Sequence, residues 1–257
     1  MLQARFLPRF NASVDYYEID LRDAIDTVGG AQTIVDQCFA GRMAFCDSIV
    51  RGPDGHILDI YQQPVNFVSQ LNRGIDFELS YRMPLANFVS SWGGDLTFRG
   101  MATHYLKAVV NNGLTPPVNV VGQNGGLPDL RYRLSVGYSR GPVSIGLAAR
   151  GISDGTVNNS WIECNSGCPT STVENRTIEV GGNHVPGYLY FDSSLAYDVS
   201  FGGFGSELFA NVRNLLDRDP VRAPVGGGSG TRGNRGTYDG VYDMLGRTFH
   251  FGLRMRF

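Results

Sequence analysis

The sequence predicts an all-β chain, an antiparallel transmembrane β-barrel, from three observations. Apolar and polar residues alternate singly through eight separate runs. The clearest runs reach the nine to eleven residues that a tilted strand needs to cross a bilayer, where soluble strands average about five or six. The connections between runs are alternately short and long. Period two is strand geometry, with successive side chains on opposite faces. A soluble sheet over a core alternates too, so run length and loop parity decide the class.

Taken in order, Val14–Leu21 is a weak first run. Gly74–Met83 sets Ile75, Phe77, Leu79, Tyr81 and Met83 against Asp76, Glu78, Ser80 and Arg82. Leu96–Ala102 is weaker. Leu130–Tyr138 alternates Leu130, Tyr132, Leu134, Val136 and Tyr138 with Arg131, Arg133, Ser135 and Gly137. Val143–Ala149 follows, then Leu189–Phe201, in which Tyr190, Asp192, Ser194, Asp198 and Ser200 take the polar positions. Leu208–Val212 precedes the last run, Phe249, Phe251, Leu253, Met255 and Phe257 against His250, Gly252, Arg254 and Arg256. A slip of one residue there would turn both arginines to lipid, costing up to roughly 2–4 kcal/mol each near the midplane. The register is therefore well specified.

The short connections are Ala86–Gly94, Arg140–Pro142 and Gly202–Gly205; the long ones run roughly over Ala24–His56, Asn111–Pro128, Ser153–Pro186 and Arg218–Asp243. Short turns on one side and long loops on the other mark an outer-membrane barrel. A soluble sandwich has no reason to sort its loops by parity. The expected orientation puts Phe257 in the aromatic girdle at the periplasmic rim and the long loops outside.

Composition narrows the function. With 22 basic and 24 acidic residues, the charge balance implies no polyanion or nucleic-acid partner. The 34 glycines are about twice the usual share of roughly 7%. With the aromatics, they favour strands and turns over helices. No apolar run is long enough for a spanning helix. The first residues, MLQARFLPRFNASVDYYEIDLRD, lack the apolar core and cleavage site of a signal peptide, so an exported protein would need a longer start.

The cysteines form two close pairs, Cys38 with Cys46 and Cys164 with Cys168. The second has knuckle spacing for zinc, but no partner pair or nearby histidine accompanies it. Two local disulfides in loops on an oxidising side fit better, with free thiols as the competing reading.

Two segments carry a family resemblance. Asn211–Pro220 reads NVRNLLDRDP and Tyr242–Phe257 reads YDMLGRTFHFGLRMRF. Together they resemble the end of a TonB-dependent outer-membrane receptor, in which an N-L-x-D segment leaves the penultimate strand. A Y-x-x-x-G-R segment then announces a last strand ending in an aromatic. Upstream, VDYYEIDLRDAI, the QTIVDQC and FC loop segments and NRGIDFELSYRM are similar to family members with a disulfide in that loop. The resemblance spans nearly the whole chain and is most specific over 208–257.

It implies a 22-stranded barrel filled by an N-terminal plug, importing a scarce solute of the siderophore, vitamin or oligosaccharide class. Residues 1–257 then read as the C-terminal portion of the barrel domain, without plug, energy-coupling box or earlier strands. The implied partners are outer-membrane lipid and lipopolysaccharide, the barrel assembly machinery, the TonB energy-coupling complex through the plug, and a small-molecule substrate. The implied location is the outer membrane of a Gram-negative cell. Phe249, Phe251, Leu253, Met255 and Phe257 are the expected insertion signal. A passive porin-like or adhesive barrel, and a soluble β-sandwich, are the competing readings.

The remaining motifs have local explanations. Asn214, Asp217 and Asp219 can bond their own backbone and Pro220 cannot donate to a ladder, so NLLDRDP marks a strand exit and is structural. Gly228–Gly233 matches G-x-G-x-x-G inside a glycine-rich loop, without the strand and helix that a nucleotide site requires. Arg222, Arg232 and Arg235 could meet an anionic ligand or lipopolysaccharide, although a solvated loop accounts for them. The three glycosylation sequons at Asn11, Asn158 and Asn175 are chance matches in a bacterial protein. Asp76 and Glu78 share a face, but no histidine, nucleophile or metal set accompanies them. No catalytic residue, cofactor or metal is expected, and the chain does not read as an enzyme.

Overall fold

A computed structural model of the protein describes residues 9–23, 25–27, 30–62, 64–66, 69–87, 89–111, 116–172, 175–201, 204–222, 236–238 and 240–256. Eight long strands dominate it: β1 (Phe10–Arg22), β2 (Ser69–Pro84), β3 (Asp95–Asn111), β4 (Leu130–Arg140), β5 (Val143–Ile152), β6 (Tyr188–Phe201), β7 (Phe204–Arg213) and β8 (Thr248–Arg256). They form one antiparallel sheet in which each strand pairs with its neighbours in sequence. The order runs from β1 to β8, and no pairing between β1 and β8 closes it among the described residues. No helix among them is long and apolar enough to cross a membrane.

The eight strands coincide with the eight runs, but β2 and β3 reach 16 and 17 residues, well beyond Gly74–Met83 and Leu96–Ala102. Strict alternation is needed only where one face meets an apolar medium. Past that band, backbone pairing alone continues a strand, and Thr103, Tyr105 and Lys107 carry no period-two signal.

The chain packs as two units. The first comprises Met1–Tyr17, Arg73–Lys107 and Val120–Phe257. Its register fixes the two faces. Leu195 pairs with Ala210 and Ile145, and Ala210 pairs with Phe251. Leu208 lies opposite Leu253, and Val212 opposite Phe249. This face is apolar and open: Phe251 is 75% and Leu134 51% exposed. A folded domain leaves such a continuous apolar surface bare only where something apolar covers it. On the other face, glycines make room for rings. A Cβ at Gly252 would collide with the Phe209 ring across the β7–β8 pair, and one at Gly74 with Tyr17.

The second unit comprises Glu18–Asn72 and Ala108–Asn119. Its part of the first long connection is more ordered than the strands-and-turns expectation allows, and that connection runs to residue 68, past His56. Two short helices, α1 (Ala31–Phe39) and α2 (Met43–Cys46), and a small hairpin, Ile49–Arg51 with Ile57–Ile60, lie in sequence between the antiparallel pair Ile25–Thr27 and Pro64–Asn66. Ile34 in α1 and Ile49 are buried. Cys38 is bonded to Cys46, Cα atoms 4.8 Å apart, joining the last turn of α1 to the end of α2. Gly55 takes φ +82° in the Pro53-Asp54-Gly55 turn, where His56 N donates to Asp54 Oδ1 at 3.2 Å. A nine-residue helix stays below what composition resolves, because one buried isoleucine and one bridge hold it.

Candidate functional site

All of the site geometry lies in the first unit, on the polar face of the sheet and in the loops above its β4–β8 end. Strand pairing sets the charges of the polar face side by side. Glu207 lies opposite Arg254 and accepts from its Nη1 at 2.8 Å. Arg82 donates to Asp95 at 2.8 Å, and the Thr103 hydroxyl to Asp76 at 2.6 Å.

The densest network is centred on Arg150. Its Nε donates to Asp192 Oδ2 at 2.9 Å and its Nη2 to Asp243 Oδ2 at 2.8 Å. Its guanidinium also stands 4.8 Å above the centroid of Tyr190, which is fully buried. Arg213 Nε reaches the same Asp243 oxygen at 3.1 Å. Asp243 is only 4% exposed, so removal from water is offset by two guanidinia. Alternation places Arg150, Asp192 and Arg213 on this face, but Arg150 falls one residue past the Val143–Ala149 run. Asp243 sits in a loop no periodicity reaches, so sequence reasoning missed both.

The loops above are tied together rather than loose. Ile152, Val185 and Tyr242 form a small core, with Val157, Tyr188, Val221, Tyr238 and Val241 packed against it. The Tyr242 hydroxyl donates to Pro186 O at 2.7 Å, and its ring meets Tyr188 edge-on at 5.5 Å. Burial pushes the Tyr238 and Tyr242 phenols above 10.0. Asn124, fully buried, donates to Ser153 O and Val185 O at 3.0 and 3.3 Å. Since the Tyr242 proton goes to Pro186, Asn124 Oδ1 has no donor among the described residues. The Asn183 side chain holds the Asn158 backbone, its Oδ1 accepting from Asn158 N at 3.0 Å and its Nδ2 donating to Asn158 O at 2.9 Å. Cys164 is bonded to Cys168 in the same connection, Cα atoms 5.6 Å apart.

The two C-terminal motifs are structural. Asn214 takes φ 52° and closes a ring with Arg218, each side chain or backbone group answering the other at 2.9 Å. Its own N–H donates to Asp192 Oδ1 at 2.9 Å. Asp217 Oδ1 accepts from Arg247 N at 2.9 Å, so the N-L-x-D and Y-x-x-x-G-R segments interlock. Gly246, with φ +70°, supplies the left-handed residue just before Arg247. Of the expected insertion residues, Phe249, Phe251, Leu253 and Met255 line one face of β8 at 57%, 75%, 45% and 51% exposure. Phe257 lies outside the described residues, as do Arg232, Arg235 and the Gly228–Gly233 match. Arg222 is exposed.

Comparison with known families decides the reading. The family described as TonB dependent receptor-like, beta-barrel matches residues 3–215. The chain belongs to this family. No curated protein matches it. The match ends at Leu215, so β1 to β7 carry it. The Y-x-x-x-G-R segment and β8 lie beyond the matched region. As a TonB-dependent receptor barrel, the chain is placed among outer-membrane receptors and transporters.

Proposed function

We propose that residues 1–257 are the C-terminal part of the barrel domain of a TonB-dependent importer in the outer membrane of a Gram-negative cell. Its cargo is a scarce solute taken from outside, and energy coupling comes through a plug and the inner-membrane TonB complex. The observation that carries this reading is the pairing of two faces on one sheet. Phe249, Phe251 and Leu253 are bare on one side, while Arg254–Glu207 and Arg150–Asp192–Asp243–Arg213 are neutralised on the other.

Edge strands left unpaired in lipid would expose ladder donors and acceptors with no water to satisfy them. We therefore read β1 and β8 as flanked by further strands, toward the 22 of a large importer barrel. Eight strands alone would close around a lumen only wide enough for side chains. The capped loops over the β4–β8 end then face outside, where lipopolysaccharide lies and both disulfides persist.

The test is energy-dependent uptake by cells carrying the full-length receptor as their sole importer for the candidate solute. Uptake is expected to stop when TonB is deleted, with the receptor still in the outer-membrane fraction. Uptake that continues without TonB would make the protein a passive pore.

A further inference from the structure

We propose that the lumenal face of β3, β4 and β5 holds a subsite for a small solute bearing at least two carboxylate or phosphate groups, bound by Arg99, Arg131 and Arg133. The inference rests on reading this face as the lumenal wall of an importer, and it names the class of its cargo.

Four arginines on the polar face already have carboxylates: Arg82 with Asp95, Arg150 with Asp192 and Asp243, Arg213 with Asp243, and Arg254 with Glu207. Arg99, Arg131 and Arg133 differ. They are exposed on the same face, and their side chains make no hydrogen bond or ion pair among the described residues. Arg133 is the most telling, because it pairs directly with Arg150 across β4–β5. Like charges directly opposed destabilise a sheet. Both carboxylates near Arg150 are engaged by Arg150 itself, which leaves Arg133 beside a cation without an anion of its own.

The spacing suits a solute with separated anionic groups. Arg131 and Arg133 share a face two residues apart, about 6.6 Å along the strand. Arg99 lies opposite Ser135, hence diagonal to Arg133 at roughly 7–8 Å. Each guanidinium presents a planar fork that matches a carboxylate or phosphate with two parallel hydrogen bonds.

There is room for such a solute. A hollow of ≈ 530 Å³ is bordered by Arg99, Arg133, Arg213 and Asp192 over a floor that includes Ser135, Gly137 and Gly146. Gly137 and Gly146 pair directly, and a Cβ at Gly137 would meet nothing nearer than 3.9 Å. A second hollow of ≈ 460 Å³ shares Arg133 and adds Arg131. Both are within the range of small-molecule sites. The carboxylates Asp15, Asp76 and Glu78 border another hollow over β1, β2 and β3, and Glu78 also borders one with Arg99. Asp192, which also borders the first hollow, is already engaged by Arg150.

The test uses the purified full-length receptor in detergent and calorimetric titration with citrate, pyrophosphate and neutral maltotetraose. Citrate or pyrophosphate is expected to bind, more weakly at higher salt, and maltotetraose to give no heat. The double variant Arg99→Gln/Arg133→Gln should lose affinity at least tenfold, while Arg254→Gln on the same wall leaves it unchanged. If the double variant does not fold, Arg131→Gln carries the test, with at least a threefold loss expected. Absence of binding by both anions, or binding indifferent to these arginines, would overturn the proposal. So would failure of both anions to bind together with a lower melting temperature of the double variant, which would assign the arginines to an acidic protein segment inside the barrel. Failure of the importer reading is separately visible, as a wild-type receptor that is missing from the outer-membrane fraction.

Discussion

At the residue scale, burial separates charge pairs that hold the structure from pairs that decorate it. Asp243 is 4% exposed and serves two arginines, whereas Arg254 of the Arg254–Glu207 pair is 61% exposed. Asp243→Asn leaves a half-buried guanidinium network short of one anion. It is expected to destabilise the full-length receptor by roughly 3–5 kcal/mol in guanidinium unfolding. Arg254→Gln should cost less than about 1 kcal/mol, because water already screens that pair. Equal effects would mean that the Arg150 network is not what holds the loop to the sheet. The tyrosines add a pH dependence. Burial raises the Tyr238 and Tyr242 phenols above 10.0, so the folded state holds their protons more tightly than the unfolded one. Their contribution is complete below about pH 10 and is lost as pH rises through the folded values. Protease resistance of the long loops should therefore fall above pH 10, and less steeply in Tyr242→Phe. An identical alkaline profile in that variant would contradict the assignment.

At the element scale, the apolar residues of β8 are bare in the folded chain, and we propose that they meet lipid and the assembly machinery. Phe251→Arg places a charge at a 75% exposed position of that face and should cost roughly 2–4 kcal/mol near the midplane, lowering outer-membrane yield of the full-length receptor. Deletion of Phe257 should lower it as well, and Arg256→Gln should not. Matching yields for all three variants would remove the insertion role from the apolar face. The strands were legible because an apolar face on one side and charge on the other impose period two residue by residue, as in Leu130–Tyr138. The helix Ala31–Phe39 was not, since a single buried Ile34 and a bridge from Cys38 hold it. Nor was the loop cap. Tyr242, Asn124 and Val185 meet across long sequence separations, and no local pattern announces such contacts.

At the scale of the whole molecule, we propose that one face of the eight-stranded sheet meets lipid and the other an aqueous or plugged lumen. Spin labels placed one at a time from Phe249 to Arg254 in the full-length receptor, reconstituted in bilayers, test it most directly. Labels at 249, 251 and 253 should relax with lipid-dissolved oxygen, and labels at 250, 252 and 254 with a water-soluble nickel chelate, in strict period two. Accessibility to both agents without alternation, or with the phase reversed, would contradict the claim.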